Sequence, residues 1–203
     1  MDVYRNLNAE AILEVMEDYR KLDHSKFDSF VCCILSHGKM GQIYGSDSLI
    51  VSLDEVTSRL SGDRCRSLAA KPKMFFLQAC RGTMKDRAVE ADDDKAEEAE
   101  RVFSSASEDG ARVATDSDFA IPSAEDFFFS YATASGHVAW RDLDNGSWYV
   151  SELCRSLGSY ARFASLVDML TITNKKVSTQ YANAGYKQAT EVTSRLGSDV
   201  FFF

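Results

Sequence analysis

Apolar residues recur every three or four positions in several stretches of the chain, which is the spacing of an amphipathic helix. The first stretch runs from Asn8, a residue suited to cap a helix, to Leu22. The next begins at Ser52, where Glu55 three residues later predicts a capping box. Two later helices are predicted over 148–160 and 163–181. The first of these is expected to turn one apolar face inward, formed by Val150, Leu153, Cys154 and Leu157.

Continuous apolar runs between these helices predict strands. The runs 30–35 and 73–78 are typical of parallel strands buried on both faces, and both end in polar turns. Further strands are predicted over 127–133 and, at the end of the chain, over 199–203. Because ligands bind outside the carboxyl ends of parallel strands, we expect the turns after 35 and 78 to face one crevice. The pattern indicates an α/β fold.

Composition narrows the class of protein. The chain has 203 residues and a formal net charge of −8, which argues against a nucleic-acid-binding protein. No run of eighteen apolar residues and no secretory leader is visible, so we expect a soluble, cytoplasmic protein. The five cysteines are odd in number and lack C-x-x-C pairs, which predicts a reducing compartment and no metal site. Nothing in the sequence calls for a cofactor.

The charge is concentrated in one segment, residues 83–118. It carries 12 acidic and 5 basic side chains, whereas the rest of the chain is nearly neutral. With few large apolar residues, such a segment cannot offset its ordering entropy, and it is predicted to be a mobile linker.

The candidate chemistry lies in the two polar turns. His37 follows the first buried strand and Cys80 follows the second, an arrangement that suggests a thiol nucleophile with an imidazole as general base. Cys80 lies in Gln-Ala-Cys-Arg-Gly, 43 residues after His37. This pentapeptide with an upstream histidine resembles the caspase signature. Four other segments also resemble caspase sequence, in the family's order: 36–38, 62–68, 71–76 and 146–154.

The resemblance implies a fold and a set of site residues. The fold would be a caspase-like three-layer sandwich, a mostly parallel sheet with helices on both faces. Cys80 would attack the scissile carbonyl, His37 would transfer protons, and the N–H groups of Gly38 and Cys80 would bind the oxyanion. Substrate would be cleaved after aspartate. Its binding residues would be Gln78 and Arg141 for the aspartate carboxylate, Ala139, Trp140 and Arg141 along the substrate backbone, and Tyr131, Trp140 and Trp148 as apolar walls.

The resemblance also implies a zymogen that acts in apoptosis. Processing is expected in the acidic linker after Asp116, with Asp109 as the second candidate. The cut would divide one caspase domain into a large-subunit part, 1–116, and a small subunit, 117–203. Partners would be protein substrates and a second caspase chain, identical or different, bound through the terminal strand.

An alternative function remains open. A caspase domain ordinarily begins with a strand, a helix and a second strand ahead of the helix at Asn8, and it carries there a second arginine for the substrate carboxylate. This sequence contains only the tail of that region, so the first strands would be missing and the run 30–35 would form an apolar sheet edge. The chain could then be a catalytically impaired regulator that binds full-length caspases.

Overall fold

The computed structural model describes residues 1–88, 124–142, 146–182 and 185–202. The helices are α1 (Ala9–Lys21), α2 (Leu53–Ser58), α3 (Trp148–Tyr160) and α4 (Leu166–Ser178), with one 3-10 turn at Arg66–Leu68. The strands are β1 (Phe30–Leu35), β2 (Gly38–Lys39), β3 (Gln42–Tyr44), β4 (Ile50–Ser52), β5 (Lys73–Gln78), β6 (Gly82–Met84), β7 (Asp86–Arg87), β8 (Phe127–Tyr131), β9 (Gly136–His137), β10 (Arg141–Asp142), β11 (Gly146–Ser147), β12 (Tyr186–Lys187) and β13 (Glu191–Ser194).

A four-stranded sheet in the order β1-β5-β8-β13 forms the centre of the described structure. Strands β1, β5 and β8 are parallel, and β13 runs antiparallel to β8. The β1–β5 register pairs Leu35 with Gln78, so both strands end at the same level. The mixed, mostly parallel sheet confirms the predicted α/β fold.

Side chains of the central strands alternate between two apolar clusters, one on each face of the sheet. In β5, Phe75 and Leu77 belong to the cluster that contains Met16 of α1 and Val56 of α2. The neighbouring residues Met74 and Phe76 belong to the cluster that contains Leu153 of α3 and Leu170 of α4. Strand β8 alternates in the same way. Helices therefore cover both faces, which is the predicted three-layer arrangement.

Helix boundaries follow the capping side chains. Asn8 caps α1 by accepting a hydrogen bond from the Ala11 N–H, and α3 has the predicted bounds. Helix α4 begins later than predicted, because Ser165 and Asp168 form a complete capping box there. The inward face predicted for α3 contains one error. Cys154 is exposed and does not belong to that face. The buried residues of α3 are Trp148, Tyr149, Glu152, Leu153 and Ser156.

Three strand predictions need correction. Strand β1 is the edge of the described sheet, as the alternative interpretation expected, but it is not buried on both faces: Val31 and Leu35 are 49% and 64% exposed. The predicted linker starts too early, since its first residues form part of β6 and all of β7, which pair with β9 and β12. The prediction of a terminal strand over 199–203 is wrong for residues 199–202, which form no strand. The Val200 carbonyl accepts a hydrogen bond from the Leu166 N–H, and Val200 and Phe202 pack against the apolar cluster that contains residues of α3 and α4.

Candidate active site

The turns that carry His37 and Cys80 lie side by side at the carboxyl ends of β1 and β5. The Ser36 N–H donates to the Gln78 carbonyl at 3.0 Å, which extends the parallel ladder beyond the strand ends. At Gly38 the two turns are so close that a β-carbon would lie 3.0 Å from the Cys80 carbonyl oxygen and 2.6 Å from that of Gln42. Glycine is required at position 38 by this approach of two backbones.

The Cys80 thiol is half-buried and contacts a third segment. Its Sγ accepts a hydrogen bond from the Ala139 N–H at 3.4 Å. In the described part of the chain, no backbone hydrogen bond from the Cys80 N–H is seen. His37 is exposed, and its carbonyl accepts from the Tyr44 N–H at 3.0 Å. Among the described residues, no hydrogen bond joins the imidazole to the thiol; such contacts are often loose before substrate binds.

Gln78 and Arg141 are linked through Ser147. The Ser147 hydroxyl donates to Gln78 Oε1 at the end of β5 and also caps α3 by accepting from the Val150 N–H at 3.2 Å. Strand β11, which contains Ser147, pairs with β10, where Arg141 lies directly opposite Ser147. The Gln78 amide is therefore bonded to the residue that lies opposite Arg141 in the β10–β11 pair.

Aromatic rings form a row next to this site. Trp140 stacks on Trp148 at 6.2 Å and on Tyr186 at 5.7 Å between ring centroids. The Lys85 ammonium lies 5.3 Å from the Tyr186 centroid and 5.8 Å from that of Trp140. Trp148 is buried, so Trp140 and Tyr186 contribute more of the surface of the row.

Tyr131 packs beside Arg81. It stacks on Phe129, and the Arg81 guanidinium covers its ring at 3.9 Å from the centroid. Burial raises the pKa of the Tyr131 hydroxyl, and the charge of Arg81 opposes that rise. Among the described ring contacts, none joins Tyr131 to Trp140 or Trp148, and its role as an apolar wall of the substrate site stays a prediction.

Two polar residues near the site were not predicted from the sequence. Glu191 Oε1 accepts from Arg81 Nη1 at 2.8 Å, and its Oε2 accepts from the Ser135 N–H at 3.0 Å. Gln188 is fully buried and contacts the backbone of Trp140 at 2.6 Å. Neither residue belongs to a motif or to a periodic apolar pattern of the sequence, so neither contact could be recognised there.

All five cysteines are free thiols, and burial raises the pKa of Cys32 to about 12. Within the described ranges, no group of three or more His, Cys, Asp or Glu side chains could hold a metal ion. No helix of those ranges is long and apolar enough to cross a membrane. The predicted processing positions, Asp109 and Asp116, lie outside the described residues.

Comparison with known proteins identifies the family. The caspase-domain family model (peptidase C14) matches residues 1–201. Caspase-3 of Mus musculus is 38% identical over 208 residues, which span 98% of this chain and 68% of that protein. Caspase-3 of Oryctolagus cuniculus is 37% identical over 208 residues, with the same two shares. The chain therefore belongs to the caspase family of cysteine-type endopeptidases.

Proposed function

We propose that this caspase-family protein hydrolyses peptide bonds after aspartate, with Cys80 as nucleophile. The observation that carries the proposal is the junction of the His37 and Cys80 turns with the segment at Ala139, whose N–H contacts the Cys80 thiol at 3.4 Å. A half-buried thiol beside a chain segment that can pair with a peptide is the arrangement a cysteine peptidase requires.

In the proposed mechanism the Cys80 thiolate attacks the carbonyl carbon of the P1 aspartate. The oxyanion that forms accepts hydrogen bonds from the N–H groups of Gly38 and Cys80, which belong to the two turns that approach each other at Gly38. His37 takes the thiol proton and gives it to the departing amine, which leaves a thioester on Cys80. Water activated by His37 then hydrolyses the thioester and restores the thiol.

Selection of aspartate is assigned to Gln78 and Arg141. A carboxylate needs charge-assisted donors, and a guanidinium supplies two parallel N–H groups. Support comes from the Ser147 link, which holds the Gln78 amide next to the strand pair containing Arg141. The substrate backbone would lie along 139–141, with Trp140 and Trp148 beside its side chains.

Proteolytic maturation, partners and place of action are also proposals. The domain would be made as a zymogen and cut after Asp116 or Asp109 into a large-subunit part, 1–116, and a small subunit, 117–203. Two chains would associate through the carboxyl-terminal segment, where Phe201 is exposed. The free cysteines support action in the cytoplasm, on protein substrates with aspartate at P1, in apoptosis.

The test is hydrolysis of fluorogenic tetrapeptides with P1 Asp. We expect Cys80→Ser to abolish turnover, and His37→Ala to reduce it by about a hundredfold or more, the scale of general acid–base catalysis. Cys154→Ser is the matched control, since Cys154 is exposed on α3 and should leave the rate unchanged. Full activity of Cys80→Ser would refute the assignment of the nucleophile.

The same assay addresses the alternative function. A wild-type chain that shows no turnover, is not labelled by an aspartyl electrophile at Cys80, and yet co-purifies with a full-length caspase would be the catalytically impaired regulator.

A further inference from the structure

Both N–H groups of Trp140 are held by one dipeptide, Lys187-Gln188. The Trp140 backbone N–H donates to Gln188 Oε1 at 2.6 Å, and the indole Nε1–H donates to the Lys187 carbonyl at 3.2 Å. Backbone and ring of the same residue are thus fixed from one side. Trp140 lies in the segment 139–141 that the proposed function assigns to the substrate backbone.

The other end of the Gln188 side chain is bound to the central sheet. Its Nε2 donates to the Ala132 carbonyl at 2.7 Å, and the Ala132 N–H donates in turn to the Leu77 carbonyl at 2.9 Å. Ala132 follows β8 directly, and Leu77 precedes Gln78 in β5. Gln188 therefore connects Trp140, through Ala132, to β5, the strand that leads into the Cys80 turn.

The Gln188 amide can adopt only one orientation here. Its oxygen faces an N–H donor and its nitrogen faces a carbonyl acceptor, so a flipped amide would lose both hydrogen bonds. The side chain is 1% exposed, and water therefore cannot replace either partner. A buried amide with both ends satisfied is a rigid spacer between two backbones.

Successive N–H groups at 139 and 140 have different anchors. That of Ala139 contacts the Cys80 thiol at 3.4 Å, and that of Trp140 contacts the Gln188 amide at 2.6 Å. The thiol contact is a weak hydrogen bond, which a substrate must displace when its carbonyl approaches Cys80. The Gln188 contact is short and buried, and it would persist when substrate binds.

We propose that Gln188 is a positioning residue that sets the distance and register of segment 139–141 relative to Cys80. The proposal rests on the proposed function, because it concerns where the substrate backbone pairs. Gln188 does not touch substrate or the reacting atoms. It holds the segment in place, so that a peptide paired along 139–141 presents its P1 carbonyl to the thiol.

The test compares Gln188→Met with Gln180→Met. Methionine keeps the length of the side chain and removes both polar ends. Gln180 is a matched control, since its amide makes one contact, to Glu152 at 3.3 Å, at the end of α4. We expect Gln188→Met to lower kcat/KM for P1-Asp tetrapeptides about tenfold or more. Alkylation of Cys80 by iodoacetamide, which needs no peptide register, should stay within about twofold of wild type.

A second readout is independent of turnover. Hydrogen–deuterium exchange of the peptide containing Trp140 should quicken about tenfold in Gln188→Met, because the backbone N–H of Trp140 loses its buried acceptor. If Gln188→Met does not fold, Gln188→Glu replaces it: a carboxylate still accepts from Trp140 but cannot donate to the Ala132 carbonyl. Its kcat/KM is then expected to fall, because the link to the Ala132 carbonyl is lost, whereas exchange at Trp140, which keeps an acceptor, is expected to change less.

The outcomes separate the two proposals. Wild-type kcat/KM and unchanged exchange in a folded Gln188 variant would overturn the positioning role while the proposed function stands. Absence of peptide turnover in the wild type would overturn the proposed function, and the exchange of the Trp140 peptide would still decide whether Gln188 holds that segment.

Discussion

Removal of the charge on Glu191 should destabilise the protein through Arg81. The Arg81 side chain is only 12% exposed, and its charge is met by Glu191 at 2.8 Å, by the Thr133 carbonyl at 3.3 Å and by the Tyr131 ring. In Glu191→Gln the guanidinium stays buried without a carboxylate. Its Nε–H is already buried without a partner, so the side chain has little capacity to compensate.

The size of the stability loss in Glu191→Gln depends on how deeply the ion pair is buried. Removal of one partner of a fully buried ion pair costs about 3–5 kcal/mol. Glu191 is 34% exposed, and the single oxygen of a glutamine amide can accept from Arg81 or from Ser135 but cannot replace both carboxylate oxygens, so we expect a cost near that of one charged hydrogen bond, about 2 kcal/mol. For a chain of this length, that lowers Tm by roughly 4–8 °C.

The assay is thermal unfolding followed by circular dichroism, with Glu17→Gln as control. Glu17 pairs with Arg20 at 2.6 Å and is also 34% exposed, but Arg20 is 33% exposed and remains hydrated when its partner is lost. We therefore expect a clearly smaller fall in Tm for Glu17→Gln. Equal shifts in the two variants would refute the reasoning that burial of the arginine governs the cost.

Three further predictions concern other parts of the molecule. Gly82→Ala should lower stability by about 1–3 kcal/mol in urea unfolding, because a β-carbon there would collide with the Gly136 backbone; Gly158→Ala, in open space on α3, should instead stabilise by about 0.5–1 kcal/mol. Iodoacetamide at neutral pH should modify Cys32 more slowly than exposed Cys154, as peptide mass spectrometry would show, since burial raises the pKa of Cys32 to about 12. Mass spectrometry of the processed protein should find a subunit that begins at Ser117 or Gly110; a cut after a basic residue would contradict self-processing.

The sequence predicted strands best where the apolar pattern matches the burial that the structure shows. Strand β5 is buried along its length, so its apolar run and its turn were predictable. Strand β1 has a similar run, yet its outer face is exposed, because an apolar pattern does not reveal whether a neighbouring strand or helix covers it. The run 199–203 misled for a related reason: apolar residues can pack against helices without pairing as a strand.

The residues of the candidate site also fall into two groups, those that the sequence predicts and those that it does not. The His37 and Cys80 turns were predictable, because each follows an apolar run typical of a strand and carries a specific motif. Gln188 and Glu191 could not be recognised from the sequence, because what they do depends on long-range contacts. Gln188 contacts Trp140, 48 residues earlier in the chain, and Glu191 pairs with Arg81. The short strands β6, β7, β9 and β12 were also missed, because two or three residues carry no periodicity.

Two kinds of contact hold the site together, and they differ in how they respond to substitution. The Cys80 turn is set by the β1–β5 and β5–β8 ladders, whose backbone hydrogen bonds are largely independent of side-chain identity. The segment 139–141 has only the short β10–β11 pairing at Arg141 and otherwise depends on contacts with the Cys80 thiol and the Lys187-Gln188 dipeptide. A single substitution at Gln188 can therefore move the segment that would receive the substrate while the nucleophile stays in place.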